Sequence, residues 1–219
     1  MKKTEQIPFV WNWNENSRLN EHPAYIRKLF KSWNEVLHQY EKEWNNTGDL
    51  PYVYDERSQV GLLAIAAKET NCLPLMEFYT DRRGNVSGKG YGDLAIYWQR
   101  YKFETWVEAS HIRVTWHSLN SQYDNIYERF EHARQGIKSL KNRDSGLALL
   151  FIRFYNFPKD YFEPLVFNKK VGELKNTLKD VTRRLGADFF ALHLCEPELV
   201  QKSKSKDCPG VAVIGKLYK

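Results

Sequence analysis

The sequence predicts an α/β sandwich built on a mixed β-sheet flanked by helices, and three features of its apolar pattern carry that prediction. Aromatic and β-branched runs at Leu75–Tyr79, Tyr91–Trp98 and Lys102–His111 are separated by polar turns, as in an antiparallel meander. The run Gly146–Tyr155 is apolar almost throughout, the pattern of a strand covered on both faces. A helical stripe lies between the meander and that run, so the later strand is reached by a crossover and should pair parallel to its neighbour.

Taken in order, residues 1–16 hold Trp11 and Trp13 without helical period and read as an arm packed across the domain. From Pro23 to Trp44, Leu29, Trp33, Val36, Leu37, Tyr40 and Trp44 recur at spacings of three and four, one face of a long amphipathic helix that Asn45-Asn46-Thr47-Gly48 ends. A connector, Asp49–Asp55, leads into Glu56–Asn71, which is apolar nearly all round and reads as a buried helix. After the meander, a capping-box-like Ser121–Asp124 opens a helix marked by Tyr123, Ile126, Phe130, Ala133 and Ile137 and ending near Lys141, with Gly136 as its weak point. Asn156–Lys170 carries Pro158 and Pro164 and reads as a loop, and Val171, Leu174, Leu178, Val181 and Leu185 then form a helical stripe stopped by Gly186. Strands are expected at Ala187–Cys195 and Val211–Tyr218, on either side of a charged loop. The organisation is a single globular unit: an arm and long helix over residues 1–50, packed as an N-terminal helical extension on an α/β domain over 51–219.

Composition narrows the function classes. At 219 residues, 42% hydrophobic and 15% aromatic, the chain buries a sizeable core and is not disordered. It has no apolar run near the ~20 residues of a membrane span, and its N-terminus, MKKTEQIPFVWNWNEN, lacks the apolar stretch of an export signal. Cys72, Cys195 and Cys208 are odd in number and lack ligand spacing, which favours a reduced, cytoplasmic protein with no catalytic thiol. A net charge of +6 and a pI near 9.1 fit a polyanionic partner. Most basic clusters read as solvated faces, but Arg82-Arg83 with Lys89 lies in the turn that leads to Asp93.

Asp93 and Glu108 are the pair of interest. Period-two alternation puts Trp106, Glu108 and Ser110 on one face of their strand and Asp93 with Ala95 and Tyr97 on the neighbouring one. Acids at such positions are often solvated side chains on an open sheet. Glu108, however, sits within Trp106-Val107-Glu108-Ala109, where an unpaired charge is costly. Facing carboxylates repel unless a proton or cation lies between them, and a divalent metal is the simplest occupant.

The order helix, three strands, helix, strand, together with Gly92-Asp93-Leu94, Glu108-Ala109 and Glu56 on the first helix, resembles the restriction-endonuclease-like superfamily of PD-(D/E)xK nucleases over residues 54–155. The resemblance implies a restriction-endonuclease-like αβββαβ core. It also implies phosphodiester hydrolysis in nucleic acid, DNA before RNA, with Mg²⁺ (or Mn²⁺) held by Asp93 and Glu108 and by Glu56 or Glu77. One position departs from the motif: Ser110 stands where the family has its lysine, and a hydroxyl brings no positive charge to the reacting phosphate. Lys102, Lys89 and Arg134 are the candidate replacements, with His111 ranked below them because it alternates to the opposite strand face. The catalytic set is then Asp93, Glu108, Ser110 and Lys102, with Arg82, Arg83, Lys89 and Arg134 contacting nucleic acid. Trp11, Trp13 and Tyr91 are candidate base-stacking aromatics, and His22, His38, His117, His132 and His193 share no ligand spacing and are assigned no role. A catalytically silent version of the fold, kept as a nucleic-acid-binding or protein-interaction subunit, is the alternative that Ser110 favours. A second copy of the chain, in a homodimer, is a further candidate partner.

Overall fold

The computed structural model describes residues 9–14, 24–44, 50, 55–82, 88–140, 144–156, 164–195 and 210–218. In chain order the elements are β1 (Val10–Trp13), α1 (Ala24–Trp44), α2 (Glu56–Glu69), β2 (Leu73–Arg82), β3 (Gly88–Trp98), β4 (Phe103–Thr115), α3 (Tyr123–Ser139), β5 (Ser145–Tyr155), α4 (Pro164–Arg184), β6 (Phe189–Leu194) and β7 (Gly210–Tyr218). The strands form one seven-stranded sheet in the order β1-β6-β7-β5-β4-β3-β2. The crossover through α3 makes β5 parallel to β4, and the other neighbours are antiparallel. The expected mixed α/β sheet is therefore present.

Helices cover both faces, as the apolar pattern of β5 requires. On one face, Leu29, Phe30 and Trp33 of α1 and Val60, Leu63 and Ala67 of α2 pack with Val107, Leu149, Phe151 and Val213. On the other, Ile126 and Phe130 of α3 and Leu174, Leu178 and Val181 of α4 pack with Leu150, Ile152, Phe154 and Ile214. Each large side chain so buried contributes about 1.5–3 kcal/mol. No helix among the described residues is long and apolar enough to cross a membrane.

Several boundaries differ from the sequence reading: β2 runs from Leu73 to Arg82 and β3 begins at Gly88, where strands at Leu75–Tyr79 and from Tyr91 were expected. The arm contributes a strand: Val10–Trp13 pairs with Leu192–Phe189, and Trp11 stacks on Phe189 at 4.8 Å between centroids, so Trp11 and Trp13 serve packing rather than a free stacking surface. Helix α4 begins at Pro164 instead of Val171. A proline in the first turn lacks only an N–H that has no partner within the helix, so it starts the element that it would break further along. Strand β4 continues past His111 to Thr115, with Val114 buried in the α3–α4 layer. Cys208 falls outside the described residues.

The sheet divides between β3 and β4. Strand β3 stays paired with β2 from Tyr97 out to Gly88, and β4 stays paired with β5 out to Thr115. Yet β3 and β4 share only five residue pairs, from Trp98–Phe103 to Leu94–Val107. Beside this fork β2 is irregular: Glu77, bracketed by the pairs Met76–Leu94 and Phe78–Gly92, has φ 50°. A left-handed residue within a strand breaks its alternation, at a cost of about 1–3 kcal/mol for a non-glycine. Beyond it the Phe78 ring lies 4.9 Å from that of Trp106 and fills the space where a Gly92 side chain would be, since a Cβ there would sit 2.4 Å from Phe78 Cζ. Gly92→Ala should therefore displace Phe78 and lower stability by about 1–3 kcal/mol, read as a reduced urea midpoint. An unchanged midpoint would show that the ring is not wedged there.

Candidate active site

Asp93 and Glu108 are the first residues of β3 and β4 beyond the last shared pair. The Ala109 N–H donates to Asp93 Oδ2 at 2.7 Å, so a side-chain carboxylate takes the place that a backbone carbonyl would hold in a continued ladder. That bond keeps the carboxylate in the gap between the strands, and bonds of this charged kind contribute about 1.5–3 kcal/mol. Glu108 is 8% exposed and projects towards α3. A Cβ on Gly136 would lie 2.7 Å from Glu108 Oε2 and 3.0 Å from its Cγ. The glycine that weakens α3 by about 1 kcal/mol relative to alanine is thus what admits the glutamate beneath the helix.

Glu56 approaches from the other layer. Asp55 caps α2 by accepting from the Ser58 N–H at 3.1 Å, which sets Glu56 as the first helical residue; that amide bond, before other effects, holds the Asp55 carboxyl below its ordinary range. The Glu56 carboxyl is pushed up, first by burial and then by the negative charge of Asp93. His111 and His132 act in the opposite direction. His111, on the same face of β4 as Val107 and Ala109, places Nδ1 3.7 Å from Glu56 Oε2. His132 lies on α3, in the layer across the sheet. Groups from helices on both sides of the sheet therefore act on the Glu56 carboxyl.

The remaining predicted residues are distributed as follows. Ser110 is 3% exposed, on the Glu108 face of β4, and Glu77 is exposed and pairs with Arg57 at 2.7 Å. Lys102 lies in the turn joining β3 to β4, with φ 55°, and Arg134 bonds Tyr218 Oη at 2.8 Å and pairs with Glu131. Lys102 is at the closed end of the hairpin, six residues from Glu108, a separation of about 20 Å along a strand. Arg82 and Lys89 occupy the far end of the β2–β3 ladder, at the pairs Arg82–Gly88 and Asp81–Lys89; Arg83 lies outside the described residues. Among the described residues no three His, Cys, Asp or Glu side chains by themselves form a group that could hold a metal ion. Sequence reasoning passed over His132, although its i, i+4 relation to Gly136 puts both on one stripe of α3, the stripe that meets Glu108.

The raised Glu56 carboxyl predicts a pH-dependent effect of removing its charge. A carboxyl whose folded value exceeds its unfolded one adds stability that is fully present below the unfolded value and is lost as pH rises through the folded value. Glu56→Gln should therefore raise the thermal midpoint at pH 7 in metal-free buffer, and the gain should vanish below about pH 4. Equal midpoints for the two proteins at both pH values would contradict this assignment.

No family model, curated protein or solved structure matches this chain.

Proposed function

We propose that the chain is a divalent-metal-dependent nuclease that hydrolyses phosphodiester bonds in nucleic acid, DNA before RNA, at the fork between β3 and β4. The observation that carries this reading is the placement of Asp93 and Glu108 at the first positions past the split, with the ionised form of Glu56 disfavoured by burial and by Asp93. A bound cation offsets both penalties. The order α2-β2-β3-β4-α3-β5, with β5 parallel to β4, supports the restriction-endonuclease-like core that the sequence resemblance implies. Mg²⁺ is commonly held through one or two carboxylates, with water and substrate phosphate completing its shell, so Asp93 and Glu108, with Glu56 beside them, fit it without a closed protein cage. Glu77, engaged with Arg57, is the less favoured of the two further acids.

When bound, such an ion lowers the pKa of a coordinated water and offsets phosphate charge. The chain's own part is positional. The Ala109 N–H fixes one Asp93 oxygen, the space left by Gly136 holds Glu108 against α3, and His111 brings a ring nitrogen beside Glu56. His111 thus stands closer to the role left by the motif lysine than Lys102 does. The buried free thiol at Cys72 supports a reducing, cytoplasmic setting. The alternative, a silent fold kept as a binding or interaction subunit, a homodimer among its forms, is favoured by one observation: the motif-lysine position is an uncharged, buried serine.

Cleavage of DNA and RNA with Mg²⁺ or Mn²⁺ separates the two readings. The wild-type protein should cut, Asp93→Asn and Glu108→Gln should each lose about 10²-fold or more, and Gly136→Ala should lose activity by displacing Glu108. A folded wild-type protein that is inert on every substrate with both metals favours the silent subunit.

A further inference from the structure

We propose that Arg113 and Arg153 form a grip for the nucleic-acid backbone, holding phosphates several nucleotides from the bond to be cut. The inference rests on the nucleic-acid reading above and adds to it a demand for substrate length. The two arginines are register partners on the parallel strands β4 and β5. Ile112, Val114, Ile152 and Phe154 all pack into the α3–α4 layer, so by alternation Arg113 and Arg153 both leave the sheet on the opposite face, the one that carries His111 and Glu56. Neighbouring strands are about 4.8 Å apart, which brings two guanidinium-bearing side chains out side by side. Two guanidinium groups on adjacent strands can each take a phosphate oxygen of one backbone.

The local geometry suits a phosphate. Arg113 is exposed, and its Cζ lies 4.3 Å from the centroid of the Tyr155 ring. Stacking on an aromatic face orients the planar guanidinium and leaves its N–H edge available for two parallel bonds to phosphate oxygens. Arg153 is half-buried, which limits its motion. Glu108, His111 and Arg113 follow one another outward along β4, towards the carboxyl ends of β4 and β5, where open α/β sheets commonly receive ligands.

The spacing defines what the pair can touch. Arg113 is five residues beyond Glu108, about 17 Å at ~3.3 Å per residue. Phosphates of one strand follow one another at about 3.4 Å of helix axis, so a substrate must extend well beyond a dinucleotide to reach both the fork and the grip. It contributes to polynucleotide binding and nothing to a mononucleotide or dinucleotide.

Binding of fluorescent DNA oligonucleotides, ~20 nucleotides long and single- or double-stranded, measured by anisotropy in EDTA over a range of salt tests the proposal. Arg113→Gln is the primary variant, because that side chain is exposed, and the Arg113→Gln/Arg153→Gln double variant extends it. The single variant should weaken binding about tenfold at low salt and make the plot of log K against log salt shallower by about 0.9, the value of one lost phosphate contact on duplex DNA. Wild-type affinity and salt slope in a folded Arg113→Gln protein overturn the grip while leaving the nucleic-acid reading intact. A wild-type protein that binds no oligonucleotide overturns both.

Discussion

The hydrogen bond from the Ala109 amide to the Asp93 carboxylate is where the sheet's construction and its candidate chemistry meet. Two antiparallel strands that stop pairing leave backbone donors to satisfy, and a buried donor left unmet costs about 1–3 kcal/mol. The Asp93 side chain meets one of these needs while its charge stays at the opening. Glu56 on the covering helix then holds its carboxyl in a partly desolvated place beside Asp93, and burial and that neighbour push its pKa up.

The surroundings of the fork are less regular than the rest of the protein. Glu77 is left-handed within a strand, Gly92 yields its side-chain space to Phe78, and Gly136 gives up helix propensity so that Glu108 fits. Away from the fork, buried polar groups bind layers together. His193 on β6 is bonded through its two ring nitrogens to Asn34 and Glu41 of α1, at 2.8 and 2.7 Å, and Asp188 accepts from the Leu217 N–H at 2.8 Å. These contacts fix α1 and the start of β6 on the sheet, far along it from the division between β3 and β4. Irregularity gathered at one point of a well-tied scaffold accords with a site formed at that point.

Much of this was legible in the sequence because it is periodic. The meander, the crossover before Gly146 and the doubly covered β5 follow from periods of two and 3.6. What was not legible depends on partners distant in sequence. The four residues of β1 carry too little alternation to declare a strand, and they become one only beside β6, some 180 residues later, where Trp13 pairs with Phe189. Pro164 reads as a breaker until its place in a first turn is known. Gly136 reads as a weakness in α3, and its purpose lies on another element, in Glu108. Asp93 and Glu108 were identifiable from strand spacing, whereas His132 belongs to the opposite helical layer and no strand pattern points to it. The far position of Lys102 was recoverable from the hairpin alone, since a turn residue cannot reach the middle of its own strands.

Calorimetric titration of the folded protein with Mn²⁺ at pH 7 reads whether Asp93 and Glu108 hold a divalent cation at the fork. Saturable binding by the wild-type protein is expected, with its loss in the Asp93→Asn/Glu108→Gln double variant. Absence of Mn²⁺ binding by the wild-type protein, or binding that survives unchanged in a folded double variant, would contradict a cation site there.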